Sequence, residues 1–132
     1  MSDPDLQAQA EAGDPEAMLS LALQLEGELD GYGDNPDTEQ RIENLLRGAA
    51  EHGLPRALAE LGSFLWLVRE DDEESVTWLL QAADAGQADA MNLLGDIHDY
   101  REEPDAAIVW YTKAAELGDE EAALSLAALL DT

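Results

Sequence analysis

A glycine recurs along this chain at Gly13, Gly53, Gly86 and Gly118, and each stands in the same apolar frame. Four residues on comes alanine (Ala17, Ala57, Ala90, Ala122). Eight on comes leucine (Leu21, Leu61, Leu94, Leu126), and nine on a tiny residue (Ala22, Gly62, Gly95, Ala127). The steps between the glycines are 40, 33 and 32 residues. A unit of that length cannot bury its apolar face alone, so units of this kind stack on their neighbours and share one continuous core. Such stacks serve as binding surfaces for other proteins.

A second pattern lies upstream of the last three glycines. Paired alanines stand four and three residues before (Ala49-Ala50, Ala82-Ala83, Ala114-Ala115). Large apolar pairs stand eight and seven before (Leu45-Leu46, Trp78-Leu79, Trp110-Tyr111). Spacings of three, four and seven fall on one face of a helix. Each repeat therefore reads as helix, glycine turn, helix, with the glycine closing the preceding helix in a left-handed conformation. The small residues belong where two helices cross closely.

Capping signals set the boundaries. Asp14-Pro15-Glu16 reads as N-cap, proline at the first helical position and acid in the first turn. Asp37 with Gln40 three residues on resembles a capping box, and Pro104 suits a first helical position. Helices are expected over 4–12, 14–28, 38–52, 54–69, 72–85, 87–100, 104–117 and 119–131. The repeats divide roughly as 1–30, 38–70, 71–101 and 103–132 within a single domain spanning 1–132. Residues 30–37 hold two glycines, a proline and an asparagine, and form an inserted loop that accounts for the longer first step. In repeat arrays such loops gather on one face, often the binding face, although a surface loop is also tolerated without any role.

The charge restricts the partners. Six Lys and Arg face 31 Asp and Glu, a net charge of −25, yet 45% of the residues are hydrophobic, too many for a disordered acidic tail. A field this negative repels phosphate backbones and anionic lipid, so neither nucleic acid nor a membrane surface is an expected partner. A basic protein would be drawn in, at a rate falling with salt. The acid equally suits solubility or a salt-rich cytoplasm. There is no cysteine, hence no disulfide or thiolate chemistry. The opening Met1-Ser2-Asp3-Pro4-Asp5 has neither the basic nor the apolar region of a signal peptide, no apolar run is long enough to span a bilayer, and a cytoplasmic protein is expected.

The last repeat reads Ala107-Ile108-Val109-Trp110-Tyr111-Thr112-Lys113-Ala114-Ala115-Glu116-Leu117-Gly118, then Asp119-Glu120-Glu121-Ala122. This resembles the Sel-one-like repeat, a relative of the tetratricopeptide repeat. Residues 75–95 carry the same pattern through Trp78, Ala82, Ala83, Gly86, Ala90, Leu94 and Gly95. Residues 42–62 carry it through Leu45, Leu46, Ala49, Ala50, Gly53, Ala57, Leu61 and Gly62, and residues 6–22 hold a shortened copy. The sequence departs where the family often has tyrosine, twelve residues after the glycine: here stand Leu25, Leu65, His98 and Leu130. The resemblance implies an all-α, right-handed solenoid of about four helix-turn-helix repeats with a concave surface, used as a protein-binding scaffold. Members resemble adaptors in signalling, quality control and host interaction, and some bacterial ones are immunity proteins against secreted toxins.

No constellation for catalysis or for a cofactor emerges. His52 and His98 fall at different repeat positions, and no second histidine stands at the spacing a zinc site needs, so no metal is expected. Glu70, Asp71, Asp72, Glu73 and Glu74 form the densest acid. They read either as a turn feeding a helix N-terminus or as an acidic edge meeting a basic partner. Trp78 and Trp110, at equivalent positions, read as core between helices. Trp66 lies in an apolar run, Phe64 to Val68, and is the candidate for an exposed contact. The helix over 119–131 has almost no polar face. Leu124 and Leu129 take positions that inner repeats turn toward a neighbour, so this end meets a partner or a second copy of the chain, or stays partly exposed. The expected function is that of a small acidic inhibitor of a basic toxin enzyme, with a scaffold or a concave-face peptide binder as the alternatives.

Overall fold

The computed structural model describes residues 4–131. Met1, Ser2, Asp3 and Thr132 lie outside the described residues, as does most of the Met1-to-Asp5 opening on which the expectation about a leader rests. Among the described residues eight helices follow one another: α1 (Pro4–Glu11), α2 (Pro15–Glu28), α3 (Pro36–Glu51), α4 (Pro55–Leu67), α5 (Asp72–Asp84), α6 (Ala88–Tyr100), α7 (Pro104–Glu116) and α8 (Glu120–Leu130). No helix end differs from the sequence expectation by more than two residues. None of the described helices is long and apolar enough to cross a membrane.

The four recurring glycines each end a helix with positive φ, from +78° at Gly53 to +96° at Gly13. Their N–H groups donate back to the carbonyls of Ala10, Ala50, Ala83 and Ala115, so the last helical carbonyls keep a partner through a sharp reversal. The next helix starts at once. Asp14 Oδ1 accepts from Glu16 N at 3.1 Å and Asp119 Oδ1 from Ala122 N at 3.0 Å.

The start of α3 corrects one expectation. Asn35, not Asp37, is its N-cap: Asn35 Oδ1 accepts from Thr38 N at 3.2 Å, with Pro36 at the first helical position. Proline's fixed φ begins the helix two residues earlier than expected, and Asp37 sits in the first turn. Gln40 does not reach back to a cap; its amide donates to Asn44 Oδ1. The inserted loop before α3 is docked. The Tyr32 hydroxyl donates to Glu26 at 2.8 Å, and its ring stands edge-on to Phe64 at 6.3 Å. Gly33 N–H donates to the buried carboxylate of Glu39.

The core is made by the repeat frame. Ala17, Ala57, Ala90 and Ala122 are buried, as are Leu21, Leu61 and Leu94, each such leucine contributing about 1.5–3 kcal/mol by leaving water. The helix pairs across the loops, α2–α3, α4–α5 and α6–α7, pack most extensively. Their crossings run through glycine. A Cβ on Gly62 would lie 2.5 Å from Leu79 Cγ, and one on Gly95 would lie 2.5 Å from Tyr111 Cδ1. The Ser75 hydroxyl uses the same closeness to donate to the Gly62 carbonyl at 2.7 Å.

Leu46, Leu79 and Tyr111 are the buried members of the apolar pairs, whereas Leu45, Trp78 and Trp110 only half-enter the core. Trp78 and Trp110 are thus less buried than expected. An indole one residue short of the crossing can turn its edge outward, and Trp78 Nε1 donates to Glu74 Oε2 at 3.1 Å while Lys113 Nζ lies 4.7 Å from the Trp110 ring centroid.

The helices form two layers. In the even layer α4 touches α6 and α6 touches α8. In the odd layer α3 reaches α5 by a long bridge, Arg47 Nη1 to Glu74 Oε2 at 2.5 Å and Nη2 to Oε1 at 2.9 Å. From α4 to α8 the even layer is thus the more closely spaced, and where such a stack curves the closer-spaced layer is the inner one.

Two outcomes follow. Gly95→Ala should cost about 1–3 kcal/mol in urea unfolding, because the buried Tyr111 ring cannot yield. Gly48→Ala, whose Cβ would meet the flexible tip of Met18 at 2.7 Å, should stay within about 1 kcal/mol of the parent. Equal costs at both sites would refute the crossing argument. Separately, the Arg47 guanidinium pulls the Glu74 carboxyl down to about 2. A pKa lowered on folding stabilises above the ordinary carboxylate pKa of about 4.3, and that contribution is lost as pH falls toward about 2. Glu74→Gln should lower stability by no more than about 1 kcal/mol at neutral pH, since the pair is partly exposed. Its gap to the parent should narrow below pH ~4 and close only near pH ~2.

Candidate functional site

The outward stripe of the even helices can be counted from the turn glycines. Three residues after Gly53, Gly86 and Gly118 stand Arg56, Asp89 and Glu121. Six after stand Ala59, Asn92 and Leu124; ten after stand Ser63, Asp96 and Ala128. Stacked side by side, α4, α6 and α8 turn most of these residues into one groove of about 330 Å³, with Glu60 and Leu93 among its other walls.

The groove is acidic. One guanidinium, Arg56, faces four carboxylates, Glu60, Asp89, Asp96 and Glu121. Arg56 is already shared, 2.6 Å from Glu60 Oε1 and 2.6 Å from Asp89 Oδ2. Burial pushes the Glu60 carboxyl above its usual range, and the neighbouring Glu26 and Asp89 charges add to this against the pull of Arg56. Asp96 is likewise raised by burial, with Asp99 and Asp119 contributing, although it accepts the Tyr111 hydroxyl at 2.5 Å. Asn92 Nδ2 reaches Glu121 Oε2 at 3.5 Å, while its Oδ1, shielded from solvent, meets no donor among the described residues. The groove thus offers acceptors and negative charge, which suits N–H donors and cations.

Three of the other arginines are also engaged. Arg47 lies against Glu43 and Glu74, Arg69 against Glu43, and Arg101 Nη2 lies 4.0 Å from Asp72. The acid of the surface therefore stays largely uncompensated.

The residues singled out from sequence do not form one site. Trp66, Glu70 and Asp72 gather with Leu67 and Tyr100 around a second pocket. Asp71 is the N-cap of α5, its Oδ1 accepting from Glu74 N at 3.1 Å. Glu73 sits exposed in the first turn of α5, and Glu74 is taken by Arg47 and Trp78. The acidic run is thus divided among a turn, a cap and an interhelix bridge. Leu124 and Leu129 lie on α8. Leu124 is 73% exposed, at the register position where Ala59 and Asn92 face the next even helix. Leu129 is half-buried, where its equivalents Phe64 and Ile97 are fully buried.

Sequence reasoning missed Glu60, Asn92, Asp96 and Tyr100. Their signal was present in the register, because a face that repeats with the glycines must line up across neighbouring helices. His98 stands where the family often has tyrosine, with Nδ1 3.1 Å from Glu103 Oε1. Among the described residues no group of three or more His, Asp or Glu is placed to hold a metal.

Comparison with known proteins agrees with this architecture. A family model described as the Sel1 repeat matches residues 55–87 and 88–119, which are the pairs α4–α5 and α6–α7. The family thus cuts the repeat at the glycine turns, half a unit out of phase with a division at the loops. No curated protein matches the chain. A Sel1 repeat protein from Oxalobacter formigenes is 36% identical, with a TM-score of 0.69 over 94% of this chain and 96% of that one. The protective antigen c5321 of uropathogenic Escherichia coli, described as displaying an SLR fold, is 27% identical with a TM-score of 0.80. That match covers 94% of this chain and 27% of the antigen. Proteins built from this repeat generally act by binding other proteins. With two matched repeats and a Sel1 repeat protein 36% identical over nearly the whole of both chains, this chain, an all-α solenoid of helix-turn-helix repeats, belongs to the Sel1 repeat family.

Proposed function

We propose that this protein is a small acidic binding module that captures a basic protein through the concave groove, in its sharpest form as an inhibitor covering a basic enzyme such as a toxin in the cytoplasm. The observation that carries this reading is the groove itself, which four carboxylates line beside one arginine and where a shielded amide oxygen has no donor among the described residues. A basic partner would supply the missing cations and N–H groups. Desolvated charge pairs of this kind contribute specificity and a salt-sensitive rate of association. The reading is not catalytic: Ser63 lines the groove, but no histidine stands beside it as a base. A scaffold joining several components is the alternative.

A second reading rests on α8. Leu124 and Leu130 are exposed on a helix whose inner counterparts are covered by the next repeat, so a second copy of the chain could cover them and form a homodimer.

Capture from the native lysate at low and then high salt, with bound proteins identified, tests the first reading. One basic enzyme is expected, released by salt and lost when Asp89→Asn, Asp96→Asn and Glu121→Gln are combined. Several partners of mixed charge, insensitive to those changes, would favour the scaffold. Because the Glu60 and Asp96 carboxyls sit above the usual range, they take up protons first as pH falls. Affinity should therefore decline at a higher pH than exposed carboxylates alone would dictate, in a calorimetric series from neutral to acid. The dimer predicts association in sedimentation at raised salt, where self-repulsion is screened, and its loss in Leu124→Asp; a monomer at every concentration would dismiss it.

A further inference from the structure

We infer that the pocket between Trp66 and Tyr100 receives an arginine side chain of the basic partner. This rests on the partner being basic, as proposed above, but concerns a different site. Leu67 and Tyr100 stand fourteen residues after Gly53 and Gly86, seven beyond Glu60 and Leu93. They continue the groove-lining stripe by two helical turns, roughly 10 Å along the axis. The pocket is therefore a rim of the same face and lies within reach of one bound segment.

Its chemistry selects a flat cation. Trp66 and Tyr100 pack edge to face, 5.5 Å between centroids at 81°, so two ring walls meet in a corner. Tyr100 is 75% exposed and Leu67 is 63% exposed. Glu70, held in the left-handed region at φ 54°, and Asp72 stand on the same rim of a cavity of about 460 Å³. An apolar plug would bury those carboxylates without partners, at a cost. A guanidinium instead lies over a ring face and forks to a carboxylate, while its methylenes cover Leu67. The chain's own Arg101 is only loosely engaged with Asp72, at 4.0 Å, and leaves the corner open. The pocket thus works as the anchor, and the groove as the electrostatic track leading to it.

The test uses the full chain and a tetra-arginine peptide at physiological salt, with a tetra-lysine peptide as the charge-matched control. Tyr100→Ala removes a ring without changing charge or core, and circular dichroism checks its fold. The expected result has three parts. The Trp66 indole N–H resonance shifts on titration with tetra-arginine. Affinity falls about three- to tenfold in Tyr100→Ala and returns in Tyr100→Phe. Tetra-lysine binds more weakly and is indifferent to Tyr100→Ala. Unchanged affinity in Tyr100→Ala, with binding lost instead in the groove variant, overturns the pocket and leaves the groove reading standing. Loss in Tyr100→Ala with the groove variant unaffected upholds the pocket and removes the groove. Absence of any binding overturns both.

Discussion

Everything in this fold depends on how closely two helices can approach at the Gly62 and Gly95 crossings. With hydrogen in place of a methyl, α5 lays Leu79 directly on the α4 backbone, and α7 lays Tyr111 on α6. The spacing lets Ser75 bond the Gly62 carbonyl, so the contact is both packed and hydrogen-bonded. In a repeat array each interface is a nearest-neighbour term, so the same contact, made again in the next unit, sets how each pair sits on the one before. In α8 the corresponding Ala127 is exposed and Leu126 only half-buried, because no further helix among the described residues crosses there.

That spacing carries through to chemistry. Closely paired helices bring the even layer together, and its outward stripe becomes a groove with one arginine and four carboxylates. Three arginines are spent within the fold. Arg47 ties α3 to α5, Arg56 ties α4 to α6, and Arg69 holds Glu43 while its guanidinium carbon lies 5.2 Å from the Phe64 ring centroid. Half of the chain's six positive charges thus hold repeats in register, and its negative charge is left facing outward. Such a distribution costs stability through self-repulsion and gains reach toward a basic partner.

The legible part of the site followed the same division. Trp66, Glu70 and Asp72 were visible as unusual residues, and the structure gathers them in one pocket. Tyr100, the other wall of that pocket, shares the register of the stripe, but a tyrosine at a helix end carries no local signal of which ring it will meet. Glu74 looked like part of an acidic edge, but Arg47, 27 residues earlier, claims it. Trp78 and Trp110 looked like core because bulk and spacing agree with burial. One helical position decides between the crossing and its flank, and Leu79 and Tyr111 took the crossing.

The sequence by itself determined the helices, their turns and the repeat. Helical periodicity, proline and Asp caps, and glycine with positive φ are local preferences that act within a few residues. It also determined the sign of the surface, which follows from composition alone. Only the tertiary structure decided which residues of different repeats face one another: Arg56 with Asp89, Asn92 with Glu121, Trp66 with Tyr100. Those meetings depend on the distance and angle at each helix crossing. Both are set by how buried side chains interlock, which no residue specifies without its neighbours in place.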